Sequence, residues 1–377
     1  MPSYSGVWTL QAQMQAVAAG TWTGQPQLYV WGQNQVGQLG LNNVTYYSSP
    51  KQVGASSDWA KISAGSNQSM AIKTNGQLWA WGQGGGGRLG LNSNEYRSSP
   101  VQVGTLTDWY QVSNGDAFCL AVKTNGTLWA WGINSYGRLG LNDSINRSSP
   151  VQVGSLTTWA MVSAGNALSA AIKTDGTLWA WGFGNSGRLG LGDTVSRSSP
   201  VQVGALTNWA TVSAGNAFCL AVKTDGTLWG WGYNPFGNLG TGNTTYTSSP
   251  VQVGALTTWS QVTNGQWQSA AIKTDGTLWT WGGGASGRLG LGDIANRSSP
   301  VQVGALTTWY IVDSLISSMK AIKTDGTMWS WGSGQDGQSG LGNTTNYSSP
   351  IQIGALTAWN TISCGWGGSH VLTIKTS

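Results

Sequence analysis

The chain has 377 residues, of which only 8% are charged, with 18 Lys and Arg against 13 Asp and Glu and a sequence pI of about 9.1. The few basic residues are scattered rather than massed on one segment, which argues against a nucleic-acid-binding face, and no apolar run approaches the roughly 18 residues of a membrane span. No Lys or Arg precedes Lys51, so the charged region of a cleaved secretory signal is missing.

Residues 1–24 carry no charge and stand outside the pattern that governs the rest. They read as an N-terminal arm, and residues 25–377 as one repeat domain. Trp-Gly recurs in steps of 50 from Trp31 to Trp331, a second tryptophan from Trp59 to Trp359, and proline from Pro50 to Pro350, seven of each. Such self-similarity outweighs length as a guide to domain number, because a repeat array packs as one unit. Glycine, at 57 residues, recurs at fixed positions and therefore reads as turn chemistry.

Within one period, Leu168 to Ile172 is an apolar strand, and Asp175-Gly176 is a hairpin turn. Leu178 to Trp181 forms the next strand, with Trp179 and Trp181 on one face and Leu178 and Ala180 on the other. Val201-Gln202-Val203 and Trp209 to Val212 add two short strands. Four strands per 50 residues, without helical periodicity, predict an all-β, seven-bladed β-propeller. A solenoid of β-coils is the alternative, with an unusually long coil. The pattern begins late in a unit, at Leu28 to Trp31, and ends on Ile374-Lys375-Thr376, the strand that precedes it elsewhere. One blade is therefore expected to be built from both ends of the chain, leaving no long free sheet edge.

Trp181-Gly182, Gly187-Arg188-Leu189-Gly190-Leu191, Ser198-Ser199-Pro200 and Val212-Ser213-Ala214-Gly215 together resemble the repeats of the regulator of chromosome condensation family. The resemblance spans residues 28–377 and implies a seven-bladed propeller. The family's usual histidine after the Ala-Gly turn is kept only at His370; Gln68, Phe118, Leu168, Phe218, Gln268 and Ser318 replace it. The founding activity, guanine-nucleotide exchange on a small GTPase at chromatin, depends on features outside the basic repeat and is not carried over. Residues 1–24 resemble the N-terminal segments of tailed-phage virion proteins; the competing reading is an ordinary arm packed on the propeller.

Titratable groups are sparse. His370 has no acid near it in sequence and reads as structural, although Cys364 is close; no catalytic residue, metal site or cofactor is expected. Cys119, Cys219 and Cys364 suit small buried apolar positions rather than disulfides, which leaves the redox compartment open. Asp175, Asp225, Asp275 and Asp325 belong to turns. Arg138 with Arg147, Arg188 with Arg197 and Arg288 with Arg297 occur together with Asp143, Asp193 and Asp293, which predicts that each arginine pair meets around its acid. Arg88 with Arg97, near Glu95, makes a fourth such pair. The Gly84–Gly87 run lacks the following helix and Gly-Lys-Ser/Thr of a phosphate loop.

Two patches vary between otherwise near-identical copies. One follows each Trp-Gly and includes Tyr136, Phe183, Tyr233 and Phe236; the other follows the Ala-Gly turn and includes Phe118, Phe218, Trp267 and Trp366. Variable aromatic loops on a rigid scaffold are the candidate binding residues, with neutral drift as the competing reading. The leading expectation is a non-enzymatic phage virion protein, a tail fibre or decoration module. Residues 1–24 would bind other virion proteins and the loops a host surface glycan or protein, within a homo-oligomer or larger assembly. The alternative is a cellular, cytoplasmic interaction module or GTPase regulator of the chromosome-condensation-regulator type.

Overall fold

The computed structural model describes residues 25–365 and 367–376; the arm and Trp366 lie outside the described residues. The described residues form seven four-stranded antiparallel sheets. In the third blade the strands are Trp159–Ala164, Leu168–Lys173, Leu178–Gly182 and Arg197–Gln202. Asp175 builds the hairpin: its Oδ1 accepts from Thr177 N at 2.9 Å and Thr177 Oγ1 at 2.6 Å. The same Thr177 hydroxyl oxygen accepts from Trp179 Nε1 at 2.9 Å, which orients that ring.

The outermost strand begins at Arg197, earlier than the apolar Val201-Gln202-Val203 stretch suggests. Its register shifts between Ala180 and Gly182, and Pro200 lies where no ladder donor is required, as on an edge strand. Gly182 is obligatory: its φ is +101°, and a Cβ there would stand 2.5 Å from Ala167 O.

Blades join through their two unlike faces. Trp181 of the third blade is buried against Phe118, Leu120, Val122 and Leu128 of the second. Its Nε1 donates to Arg138 O at 2.9 Å. The same bond recurs at every junction, including Trp31 to Gln338 O at 3.1 Å and Trp81 to Gln38 O at 2.9 Å.

The first strand of each sheet lies innermost and touches its counterparts in both neighbouring blades. A belt of hydrogen bonds runs around these strands. Ser63 Oγ accepts from Asn114 N at 2.8 Å, Ser113 Oγ from Ala164 N at 3.0 Å and Ser163 Oγ from Ala214 N at 2.9 Å. Ser213 Oγ donates to Asn264 Oδ1 at 2.6 Å, and Thr263 Oγ1 to Asp313 Oδ1 at 2.9 Å. Asp313 Oδ2 accepts from Cys364 N at 2.8 Å, and Ser363 Oγ from Ala64 N at 2.9 Å, which returns the belt to its start.

Closure follows the expected course and excludes the solenoid. Pro26–Gly32 pairs with His370–Thr376 along its whole length, from Pro26 opposite Thr376 to Gly32 opposite His370. The seventh sheet therefore holds Tyr47–Gln52, Pro26–Gly32, His370–Thr376 and Trp359–Cys364 in that order. A chain ending at residue 369 leaves Pro26–Gly32 and Trp359–Cys364 with unpaired edges. It should lose cooperative thermal unfolding and become rapidly protease-sensitive; an unchanged melting curve would refute closure by this strand.

Candidate functional site

The loops that follow each Trp-Gly and the turns between the first and second strands share one end of the propeller. Asn134 braces one such loop: its Nδ2 donates to Asp143 O at 3.0 Å and Asp143 Oδ1 at 2.8 Å, and its Oδ1 accepts from Leu139 N at 2.9 Å. On this frame Tyr136 is held at φ +62° and is 53% exposed. A bulky residue in the left-handed region is uncommon and marks a backbone set by its surroundings. Its ring lies 4.2 Å from that of Phe183 in the next blade, with planes 32° apart. One blade further on, Tyr233 and Phe236 meet Trp267, with ring centroids 6.2 and 5.5 Å away. These five candidates thus form two aromatic clusters spanning four consecutive blades.

Phe118 and Phe218 do not belong with them. Each opens a second strand and is buried, at 0% and 1% exposure, so neither offers a surface contact. Position after the turn misled here: the first strand residue already points into the inter-blade core. Trp366 lies outside the described residues.

The arginine pairs do not meet as expected. The second of each pair takes the acid alone: Arg147 to Asp143 at 2.5 Å, Arg197 to Asp193 and Arg297 to Asp293 at 2.6 Å, Arg97 to Glu95 at 2.7 Å. The first donates to carbonyls. Arg138 bonds Ser135 O at 3.0 Å and reaches Asn166 O in the next blade at 3.1 Å; Arg188 does the same with Asn185 O and Asn216 O. A buried guanidinium can be satisfied by carbonyl oxygens without a carboxylate, and burial lowers the pKa of Arg138 and Arg188. Each of these arginines staples its own loop to the next blade, and Arg188 also lies 4.7 Å from the centre of the Phe183 ring.

His370 is fully buried in the blade that closes the ring, with Nε2 2.9 Å from Ser69 Oγ in the first blade. The Ser69 hydroxyl donates to Gln38 O at 2.7 Å, so it receives its bond from an Nε2–H tautomer. Burial pulls His370 down to about 3. In the first and fifth blades a glutamine does related work: Gln68 Nε2 donates to Gly115 O at 3.0 Å and Gln268 Nε2 to Leu315 O at 2.6 Å. The cysteines are free and buried. Among the described residues no group of three His, Cys, Asp or Glu side chains is placed to hold a metal ion.

One polar cluster escaped sequence reasoning. Asp313 and Lys320 stand opposite one another across the first two strands of the sixth blade, Lys320 fully buried and Asp313 half-buried against the seventh. Asp313 accepts from Thr263 Oγ1, Ser314 N and Cys364 N; Lys320 Nζ donates to Ser318 Oγ at 3.2 Å and Met319 O at 3.3 Å. Burial raises the Asp313 carboxyl and lowers Lys320 to about 8. The signal was available: other blades have Ser113 with Leu120, or Ser213 with Leu220, at these positions.

Two outcomes follow from these groups. Between about pH 6.5, the ordinary histidine value, and pH 3, the unfolded chain takes up a proton at His370 that the folded chain does not. Stability therefore falls as pH drops through this window, by up to about 1.4 kcal/mol per unit. His370→Gln should flatten that dependence in urea titrations. Replacing both charges with the residues of the sister blades, Asp313→Ser with Lys320→Leu, removes a fully buried ammonium and should raise stability by about 1 kcal/mol or more. Asp313→Ser alone removes an opposite charge that offsets the buried ammonium and should lower stability in the same measurement.

The repeat pattern described as "Regulator of chromosome condensation (RCC1) repeat" matches residues 27–72, 75–122, 125–172, 175–222, 225–272, 275–313 and 325–372. A second pattern of the same description matches 59–88, 109–138 and 209–238. No curated protein matches in sequence. Among solved structures, human WBSCR16 superposes with a TM-score of 0.84 at 21% identity, over 93% of this chain and 99% of that one. Prp20p from Saccharomyces cerevisiae superposes at 0.82 and 19% identity, over 94% and 92%. At such identities these structures speak for the fold, and the repeat matches for the family. The chain belongs to the regulator of chromosome condensation (RCC1) repeat family.

Proposed function

We propose that this chain is a non-catalytic protein-interaction propeller whose partner docks on the loop end bearing Tyr136, Phe183, Tyr233, Phe236 and Trp267. The stacked Tyr136–Phe183 pair carries the reading: two large rings from different blades are held at 4.2 Å, with Tyr136 exposed and its backbone fixed in a costly conformation. Rigid aromatic side chains that need no ordering on binding are what interface centres use. Of the two expectations raised by the sequence, the family match favours the cellular module, with a cytoplasmic setting, over the virion protein. The virion attachment role rests on residues 1–24, outside the described residues.

The yeast relative lends precedent for a protein partner. Prp20p was characterised with its binding to Gsp1p and histones, and yeast RCC1 (Prp20) has been crystallised with Kap60. Regulation of a small GTPase is the narrower form of the reading, testable by nucleotide release from candidate GTPases. For the interaction surface, Tyr136→Ala with Phe183→Ala and Tyr233→Ala with Phe236→Ala are the variants of choice. Each should weaken a partner captured by the parent protein by about 2 kcal/mol or more, with little change in melting temperature because the rings are at the surface. Full retention of the partner by both variants would reject this face.

A further inference from the structure

At the opposite end of the strands, grooves open at the rim between blades. The groove between the second and third blades has a volume of about 400 Å³ and is walled by Leu141, Val153, Leu156, Trp159, Trp179 and Pro200. That between the fifth and sixth is about 380 Å³, walled by the equivalent Leu291, Val303, Leu306, Trp309, Trp329 and Pro350. Leu156 and Leu306 form exposed apolar lips.

A lysine lies against the two tryptophans that wall each groove. Lys173 Nζ lies 3.6 Å from the Trp179 ring centre and 5.0 Å from that of Trp159; Lys323 Nζ lies 3.7 and 5.0 Å from Trp329 and Trp309. Both side chains are more than nine-tenths buried. Neither ammonium has a hydrogen-bond acceptor or ion-pair partner among the described residues. The nearby Asp175 and Asp325 carboxylates are engaged by Thr177 and Thr327.

The first two blades show what such a lysine takes. There the residue before the inner tryptophan is aspartate, and Lys73 meets Asp58 at 3.1 Å and Lys123 meets Asp108 at 3.3 Å. The third and sixth blades have Thr158 and Thr308 at that position, so the same ammonium and indole cage lacks its carboxylate. An aspartate side chain offered from a loop is thus a ligand this cage already accepts twice within the molecule.

We propose that the Lys173 and Lys323 grooves are docking subsites for Asp or Glu side chains of an acidic partner segment whose neighbouring apolar residues rest on Leu156 and Leu306. This deepens the protein-interaction reading by naming the chemistry of a second contact surface. Lys223 and Lys273 stand over the same indole pairs in the fourth and fifth blades, where Asn208 and Thr258 replace the aspartate. Several such cages on one rigid ring favour a partner that presents acids at more than one point, since a second contact then forms at high effective concentration.

The test uses the whole chain and a short fluorescein-labelled peptide of alternating Asp and Leu, with alternating Asn and Leu as control, followed by fluorescence anisotropy. The Asp peptide should bind at least about tenfold more tightly than the control. Thr158→Asp, Asn208→Asp, Thr258→Asp and Thr308→Asp together, which supply the internal carboxylates of the first two blades to the cages that lack them, should weaken it at least about tenfold without lowering the melting temperature. Equal affinity for the two peptides, or unchanged affinity in the fourfold variant, would overturn the proposal. So would displacement by sodium glucuronate with no preference for the Asp peptide, which would assign the grooves to an acidic sugar. Tyr136→Ala with Phe183→Ala should leave peptide binding intact, so a failure of the loop surface and a failure of the grooves read out separately.

Discussion

The hydrogen bond from each Trp-Gly indole to a carbonyl of the preceding blade governs the architecture. Trp181 Nε1 to Arg138 O is one of seven such bonds, and each is buried with its tryptophan at 0–1% exposure. A large ring that must satisfy one polar edge within an apolar junction can sit in only one way. The glycine that ends the staple loop makes room for it: a Cβ on Gly190 would stand 2.7 Å from Trp231 Nε1. Blade spacing and blade angle follow from this contact, and seven equal steps bring the last sheet back to the first.

With the junctions set so firmly, the loops between them are relieved of structural duty and can differ. Their frame uses a small set of devices: Asn34, Asn134 and Asn234 brace three loop backbones, and Arg88, Arg138, Arg188 and Arg288 tie four loops to the next blade by carbonyl contacts. Variation is thereby channelled into the two or three side chains at each loop tip. Aromatic groups brought there arrive pre-ordered, and Tyr136 reaches Phe183 although they belong to different repeats.

Departures from the repeat carry a separate kind of information. Asp313 and Lys320 place opposite charges where the other blades pair Ser or Thr with Met, Leu or Ala. There Asp313 takes the place of a serine in the inner hydrogen-bonded belt, accepting from Cys364 N as Ser63 accepts from Asn114 N. At the rim, an Asp-to-Thr change between blades leaves Lys173, Lys273 and Lys323 on indole faces without the ion pair made by Lys73 and Lys123. Near-identical copies act as internal controls on one another, because the same cage is seen with and without its acid.

The fold was legible in the amino-acid order because a 50-residue period, Asp-Gly turns and paired tryptophans are local signals, and identical units impose identical packing. The closing blade was legible too, since the pattern breaks off one strand short of where it began. Side-chain partnership was not. Arg138 and Arg147 vary together yet part company, because a guanidinium is as well served by the carbonyls of Asn166 and Ser135 as by Asp143. Phe118 and Phe218 share a variable patch with Trp267 but turn into the core, since a strand's first residue takes its direction from the pleat rather than from the turn before it. Periodicity by itself determined the ring and its ends; only the tertiary structure decided which variable residues meet, because they come from different repeats and are joined by inter-blade contacts that no single period contains.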